Sequence, residues 1–319
     1  MTHDLPRGLE QSESHMMIRN KALAALTVSA LLLAHTQCAV AHRVLACEPE
    51  WAALAEELGG TMITVHSATT GLQDPHRIEA RPSLIARARN ADLLICTGLG
   101  VETGWLPILL RESGNDKIQP GQPGYLEAGD YVEKLDIPKH LDRAEGDVHA
   151  QGNHHIQCDP RNILRVADAL AKRLTRMDPA HEAYFQARHK AFSERWSQAI
   201  ERWGKEAAPL KGLAFVEHHR AWPYLSRWLG LREVAALEPK PGMEPTVAHL
   251  TLILAILQRE PARMIVRSPY NNGRAAEWLS ERAKLPVVVL PSTVGGNDDA
   301  RDLFGLFDDI IRRLLAAAR

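Results

Sequence analysis

Residues 178–207 read DPAHEAYFQARHKAFSERWSQAIERWGKEA. Asp178-Pro179 has the form of a helix N-cap followed by proline at the first helical position. No Gly or Pro then occurs until Gly204, and apolar residues stand at Tyr184, Phe185, Phe192, Trp196 and Ile200. The pattern predicts one uninterrupted helix from Pro179 to about Ala207, spanning about 40 Å at 1.5 Å per residue. A helix of that length is a stiff strut rather than a flexible linker, and it divides the chain in two.

Both flanks alternate short apolar runs with helical patterns. Strand-like runs lie at 44–47, 62–65 and 93–96 before the strut, and at 213–216, 264–266 and 287–290 after it. Helical patterns fall at 50–58, 83–90, 246–259, 273–283 and 301–318, and Asp159-Pro160 opens another that runs to about Met177. Alternation of this kind predicts an α/β fold with two lobes, each a parallel sheet flanked by helices, joined by one long helix. The expected boundaries are an upstream extension and signal at 1–41, an N-terminal lobe at 42–178, the connecting helix at 179–207 and a C-terminal lobe at 208–319. Residues 114–150, rich in Gly, Pro and charge, read as a long surface excursion. No internal repeat, P-loop or Gly-x-Gly-x-x-Gly after a strand is present.

With 319 residues, 45% of them hydrophobic, the chain can fill two cores or one large one. A formal net charge of -1 supplies no electrostatic reason to expect nucleic acid or an anionic membrane as partner. At the N-terminus Arg19 and Lys21 precede an apolar run at 22–34, and Ala39-Val40-Ala41 offers small residues at cleavage spacing. The run is shorter than the roughly 20 residues of a membrane span. It reads as an export signal cleaved near Ala41, the competing reading being a buried core helix. Residues 1–15 fit no part of a signal, so Met16 or Met17 reads as the start. Cys38 is not preceded by a lipobox, which favours a soluble exported protein. Cys47 and Cys96 each end an apolar run at matching places, which in an oxidising compartment allows a disulfide; buried free thiols are the alternative. Cys158, three residues past His155, is either a thiolate ligand or packing.

Three histidine-bearing segments lie far apart: Asp74-Pro75-His76, Gly152-Asn153-His154-His155 and His218-His219-Arg220-Ala221-Trp222. Each sits at the edge of an expected element, where open α/β sheets place ligands. Neutral imidazoles bind Zn²⁺ at about 2.0 to 2.1 Å, and three of them leave a fourth position for a carboxylate or water. Either neighbour in His154-His155 and in His218-His219 could serve.

In this order the segments resemble the periplasmic solute-binding proteins of metal ABC transporters, the cluster that delivers Zn²⁺ or Mn²⁺. The likeness rests on Asp74-Pro75-His76, on Gly152-Asn153-His154-His155 with Asp159-Pro160, and on His219-Arg220-Ala221-Trp222-Pro223-Tyr224. Glu238-Pro239-Lys240-Pro241-Gly242 and Leu290-Pro291-Ser292-Thr293-Val294-Gly295-Gly296 are similar to a zinc-associated branch. The resemblance implies His76, His155 and His219 as ligands, the first two from one lobe and the third from the other. It also implies an acidic residue in the last strand-to-helix loop. Thr293 stands in that place, so Asp298, or Asp299 beside it, is the expected substitute, with water as competitor. His154 stands where the family pattern has Pro. Zinc members of the family often carry a long His-rich loop, but here it holds only His140, His149 and His154 with Asp142, Glu145 and Asp147, and reads as ordinary solvated chain with His149 a low-affinity contact.

The implied function is capture of Zn(II) as transported ligand, with Mn(II) second because it prefers more oxygen ligands. The implied partner is an ABC membrane permease, and the protein is expected in the periplasm as a monomer. The competing class is a His₃-zinc metallohydrolase, because an open zinc position makes a nucleophile of bound water. That chemistry needs a general base; Glu217 is near His219 in sequence, but no His-Glu-x-x-His is present. A passive zinc-holding exported adhesin is a third class.

Overall fold

β1 (His42–Ala46), β2 (Ile63–Ser67), β3 (Leu93–Cys96) and β4 (Tyr125–Glu127) form a parallel sheet in the order β2-β1-β3-β4. Their central residues Val44, Leu45, Ala46 and 93–96 are buried on both faces, which is why they read as continuous apolar runs instead of alternating ones. β5 (Ala214–Glu217), β6 (Arg232–Ala236), β7 (Met264–Arg267) and β8 (Val287–Val289) repeat the wiring as β6-β5-β7-β8, again all parallel. The computed structural model describes residues 41–139, 146 and 149–319. The export signal, Cys38, His140, Asp142, Glu145 and Asp147 lie outside the described residues.

Nine helices of the described residues surround the sheets: α1 (Pro49–Gly59), α2 (Pro82–Asn90), α3 (Leu106–Ser113), α4 (Pro160–Met177), α5 (Glu182–Glu206), α6 (Pro223–Leu229), α7 (Val247–Arg259), α8 (Arg274–Ala283) and α9 (Leu303–Ala318). None is long and apolar enough to cross a membrane. The strut is α5. It starts later than expected, because Pro179–His181 forms a 3₁₀ turn and Asp178 does not cap it. The Asp178 carboxylate instead bonds the His181 ring at 2.7 Å and faces His42 at 3.4 Å.

The strut is embedded rather than bare. Phe185, Phe192, Trp196, Ala199 and Trp203 form its buried stripe. Toward the first sheet, Tyr184 Oη accepts a bond from the Thr61 amide at 3.1 Å and Arg195 pairs with Glu57 at 2.6 Å. Toward the second, the Trp203 indole donates to Asp308 at 2.6 Å and the Trp196 ring packs on Phe304 and Phe307. One hydrophobic cluster therefore runs from Val44 and Leu54 through Trp196 and Trp203 to Phe307 and Leu314. Residues 41–319 accordingly form one compact unit.

Two strands go beyond the sequence reading. β4 lies within the stretch 114–150, where Ile118, Leu126 and Ala128 are buried, so part of that excursion is core. β6 carries Arg232 and Glu233 and shows no buried residue. Both are edge strands, paired on one side only. Cys47 and Cys96, just beyond and at the ends of neighbouring β1 and β3, are joined by a disulfide with Cα atoms 4.7 Å apart. Cys158 is a free, buried thiol in the main core; burial pushes its pKa up, which suits packing and not a thiolate ligand.

Candidate metal centre

In a parallel sheet whose first strand gains a neighbour on each side, the crevice opens beyond the carboxyl ends of the two central strands. In the first sheet that edge carries Glu48 after β1 and Thr97 after β3; in the second it carries His218 and His219 after β5 and Ser268 after β7. The histidine segments collect around these two edges.

His76 sits on the loop after β2. The Asp74 carboxylate accepts the His76 amide at 3.0 Å and contacts ring Nδ1 at 2.8 Å, while the Trp105 indole pins the Pro75 carbonyl at 2.9 Å. With Nδ1 held by Asp74, Nε2 is the nitrogen presented to the centre. His155 precedes a 3₁₀ turn, Ile156–Cys158, and the Asp159 side chain then caps α4 by accepting from the Arg161 amide. Asn153 fixes this entry: its side chain accepts the His155 amide at 2.9 Å and donates to the Arg220 carbonyl at 2.9 Å. His219 mirrors His76. Its Nδ1 meets the Glu238 carboxylate at 2.7 Å, and Glu238 also accepts the Gly242 amide at 2.9 Å. A carboxylate on one ring nitrogen sets the tautomer and aims the other nitrogen outward, the arrangement that orients metal-ligating imidazoles.

The rings form a continuous row. His76 lies 5.1 Å from His149 and 4.7 Å from His154 between ring centroids; His154 is 4.0 Å from His155, and His155 is 5.4 Å from His219. Thus His76, His155 and His219 belong to one cluster, with His154 between His76 and His155. Both ring nitrogens of His154, Nε2 of His155 and Nδ1 of His218 are buried without a hydrogen-bond partner. Buried polar atoms are rarely left so. Burial, followed by the neighbouring imidazoles, holds His154 and His155 well below the usual histidine pKa, so both present neutral rings with lone pairs. Divalent cations bind imidazole in that form.

Asp298 and Asp299 stand differently. Both are exposed. Asp299 pairs with Arg312 at 2.7 Å, and Asp298 holds Arg301 through its carbonyl oxygen. Among the described residues, neither lines the cavities that the histidines line. Thr293 instead donates to the carboxylate of Glu50, across the chain from α1. Sequence reasoning passed over three buried carboxyls: Glu48 and Glu50, which line a cavity with His154 and His155, and Glu102, which lies against Glu48. Desolvation raises Glu48 well above the usual range and pushes Glu50 and Glu102 each to about 7. Glu217, the sequence candidate for a general base, is spent on the turn after β5, accepting the Ala221 and Trp222 amides at 3.2 Å each. Sequence reasoning also left Asp74 and Glu238 without a role. The signal for Asp74 was its place two residues before His76, where a short carboxylate bonds the backbone two residues on. Glu238 is 19 residues from His219 and carried no such signal.

Two parallel sheets that bring half-buried, carboxylate-oriented imidazoles and buried, unpartnered ones together at their carboxyl edges define a bilobal metal-site protein. The family described as zinc-uptake complex component A, periplasmic, matches residues 44–317. The manganese ABC transporter substrate-binding lipoprotein PsaA of Streptococcus pneumoniae is 24% identical over 241 residues, covering 73% of this chain and 74% of that protein. The high-affinity zinc uptake system protein ZnuA of Bacillus subtilis is 20% identical over 250 residues, covering 77% and 76%. A crystal structure of ZnuA superimposes with a TM-score of 0.72 at 21% identity, over 86% of this chain and 99% of that one. The chain belongs to the zinc-uptake complex component A family.

Proposed function

We propose that this chain is an exported solute-binding protein that captures Zn(II) in the periplasm and delivers it, as a monomer, to an ABC membrane permease. The observation that carries the reading is the row of imidazoles in which both ring nitrogens of His154 and Nε2 of His155 are buried without a partner. In this reading His76, His155 and His219 are ligands and Asp298 is the candidate for the fourth position, in competition with water. A ligating carboxylate must come within about 2.0 to 2.2 Å of zinc, so Asp298 serves only if its exposed loop turns inward. The lobes at 42–178 and 208–319 then supply ligands from both sides of the helix at 179–207, and bound metal ties them together. The embedded strut favours small loop movements over wide closure.

Mn(II), named for the pneumococcal relative, is the second reading. It prefers more oxygen ligands than a set of imidazoles supplies. The chain has no catalytic role in this proposal, and the commitment of Glu217 to two backbone amides argues against the hydrolase alternative.

The test is metal content and Zn(II) titration of the mature chain beside His76→Ala, His155→Ala and His219→Ala. Each substitution is expected to weaken binding at least about tenfold, in line with the loss of ordered metal-site groups. Unchanged stoichiometry and affinity in all three defeats the reading. Full retention of affinity in both Asp298→Ala and Asp299→Ala assigns the fourth position to water.

A further inference from the structure

We propose that His76, His149 and His154 form an alternative metal position for a borderline divalent cation of the Zn(II) type, adjoining the His155 and His219 side of the row and sharing His76 with it. Neither His149 nor His154 belongs to the ligand set proposed above; the inference rests on that reading only for the class of ion and for the shared His76.

One ring nitrogen from each of His76, His149 and His154 lies within 4.8 Å of the other two. His76 Nε2 and His149 Nε2 are 3.1 Å apart. Two imidazole nitrogens bound tetrahedrally to one zinc at about 2.05 Å stand about 3.4 Å apart, so this pair is already near chelating distance. Nδ1 of His76 is engaged by Asp74 at 2.8 Å, which leaves the Nε2 lone pair facing His149. His154 closes the triangle, its ring centroid 4.7 Å from His76 and 4.5 Å from His149. It is 4% exposed, and both its ring nitrogens are buried without a partner. A buried imidazole left wholly unpaired is costly, whereas a cation at the centre of the three rings takes up the lone pair of its unprotonated nitrogen. His155 meets this group in ring contact with His154, and His219 shares one cavity with His76 and another with His149 and His154, so the position adjoins the one proposed above. Because His76 serves both positions, the two are alternative seats in one row rather than independent sites.

The test uses the full mature chain carrying His155→Ala and His219→Ala together, titrated with Co(II) and read by the visible absorption of tetrahedral cobalt, then competed with Zn(II). The double variant is expected to keep one equivalent of Co(II), and adding His149→Ala is expected to weaken that binding at least tenfold. His149 is only half-buried, so its removal leaves the fold intact; circular dichroism checks this, and His154→Gln supplies a second, independent removal. The proposal is overturned if the double variant binds no Co(II) while the wild type does, an outcome that leaves the preceding function standing. It is equally overturned if His149→Ala and His154→Gln leave the residual affinity unchanged. A wild type that binds neither ion overturns both.

Discussion

Glu238→Ala isolates the part of the centre that orients a ligand without touching the metal. The Glu238 carboxylate lies 2.7 Å from His219 Nδ1, with side chains 12% and 16% exposed. A contact so withdrawn from solvent is not the weak surface ion pair worth about 0 to 1 kcal/mol. Hydrogen bonds to a charged partner contribute about 1.5 to 3 kcal/mol. Loss of such an outer partner costs about 10- to 100-fold in metal affinity, or about 1.4 to 2.7 kcal/mol. The two ranges overlap, so Glu238→Ala is expected to weaken Zn(II) binding by one to two orders of magnitude. Glu238→Gln retains an acceptor for the His219 Nδ1 proton and for the Gly242 amide, and is expected to recover most of the loss. Competition against a fluorescent zinc chelator at pH 7.5 measures both, with circular dichroism as the fold control. An affinity within twofold of wild type in a folded Glu238→Ala refutes the orienting role and the assignment of His219 Nε2 as the metal-facing nitrogen.

The buried carboxyls set a pH dependence of the metal-free protein. Glu50, raised from 4.5 to about 7 chiefly by desolvation, binds more protons folded than unfolded, so its contribution is full below about pH 4.5 and is lost as pH rises to about 7. Glu50→Gln is therefore expected to match wild type near pH 4.5 and to exceed its unfolding free energy at pH 8, by on the order of 3 kcal/mol; denaturant melts with no gain at pH 8 refute it. His154 and His155, depressed by burial, act oppositely: their contribution is present above about pH 6.5 and lost as pH falls below it. The Cys47–Cys96 bridge spans 49 residues, for which chain entropy gives about 4 kcal/mol. Reduction is expected to lower the midpoint of thermal unfolding by on the order of 10 °C, and an unchanged midpoint with free thiols titrated refutes this. Trp196 is fully buried and donates to the Pro160 carbonyl at 2.8 Å; Trp196→Ala is expected to cost about 3 to 5 kcal/mol, measured by urea melts, and less than 1 kcal/mol contradicts the central place given to the strut.

The central strands β1, β3, β5 and β7 were legible because burial on both faces demands unbroken apolar runs. Edge strands β4 and β6 were not. Pairing on one side leaves three residues, Tyr125–Glu127, within a Gly- and Pro-rich stretch, and leaves Arg232 and Glu233 on a strand with no buried residue. The helices that the sequence located held within a few residues, and α3 (Leu106–Ser113) was not among them; the strut's entry differed because Asp178 found histidine partners in space, His42 and His181, and gave up the cap.

The amino-acid order by itself determined the two parallel sheets, the long helix between them and the three segments that bring His76, His155 and His219 to the carboxyl edges. The sheets and the helix follow from periodicity and residue chemistry, which act over a few positions, while the choice of His155 over His154 and of His219 over His218 followed from the family resemblance. Only the tertiary structure decided which imidazoles touch, that Asp74 and Glu238 aim two of them, that His154 is buried with no partner, and that Asp298 faces solvent. Each of those is a matter of distance between residues far apart in the chain or of exclusion from water. Neither quantity exists until the two sheets close on the aromatic face of the strut.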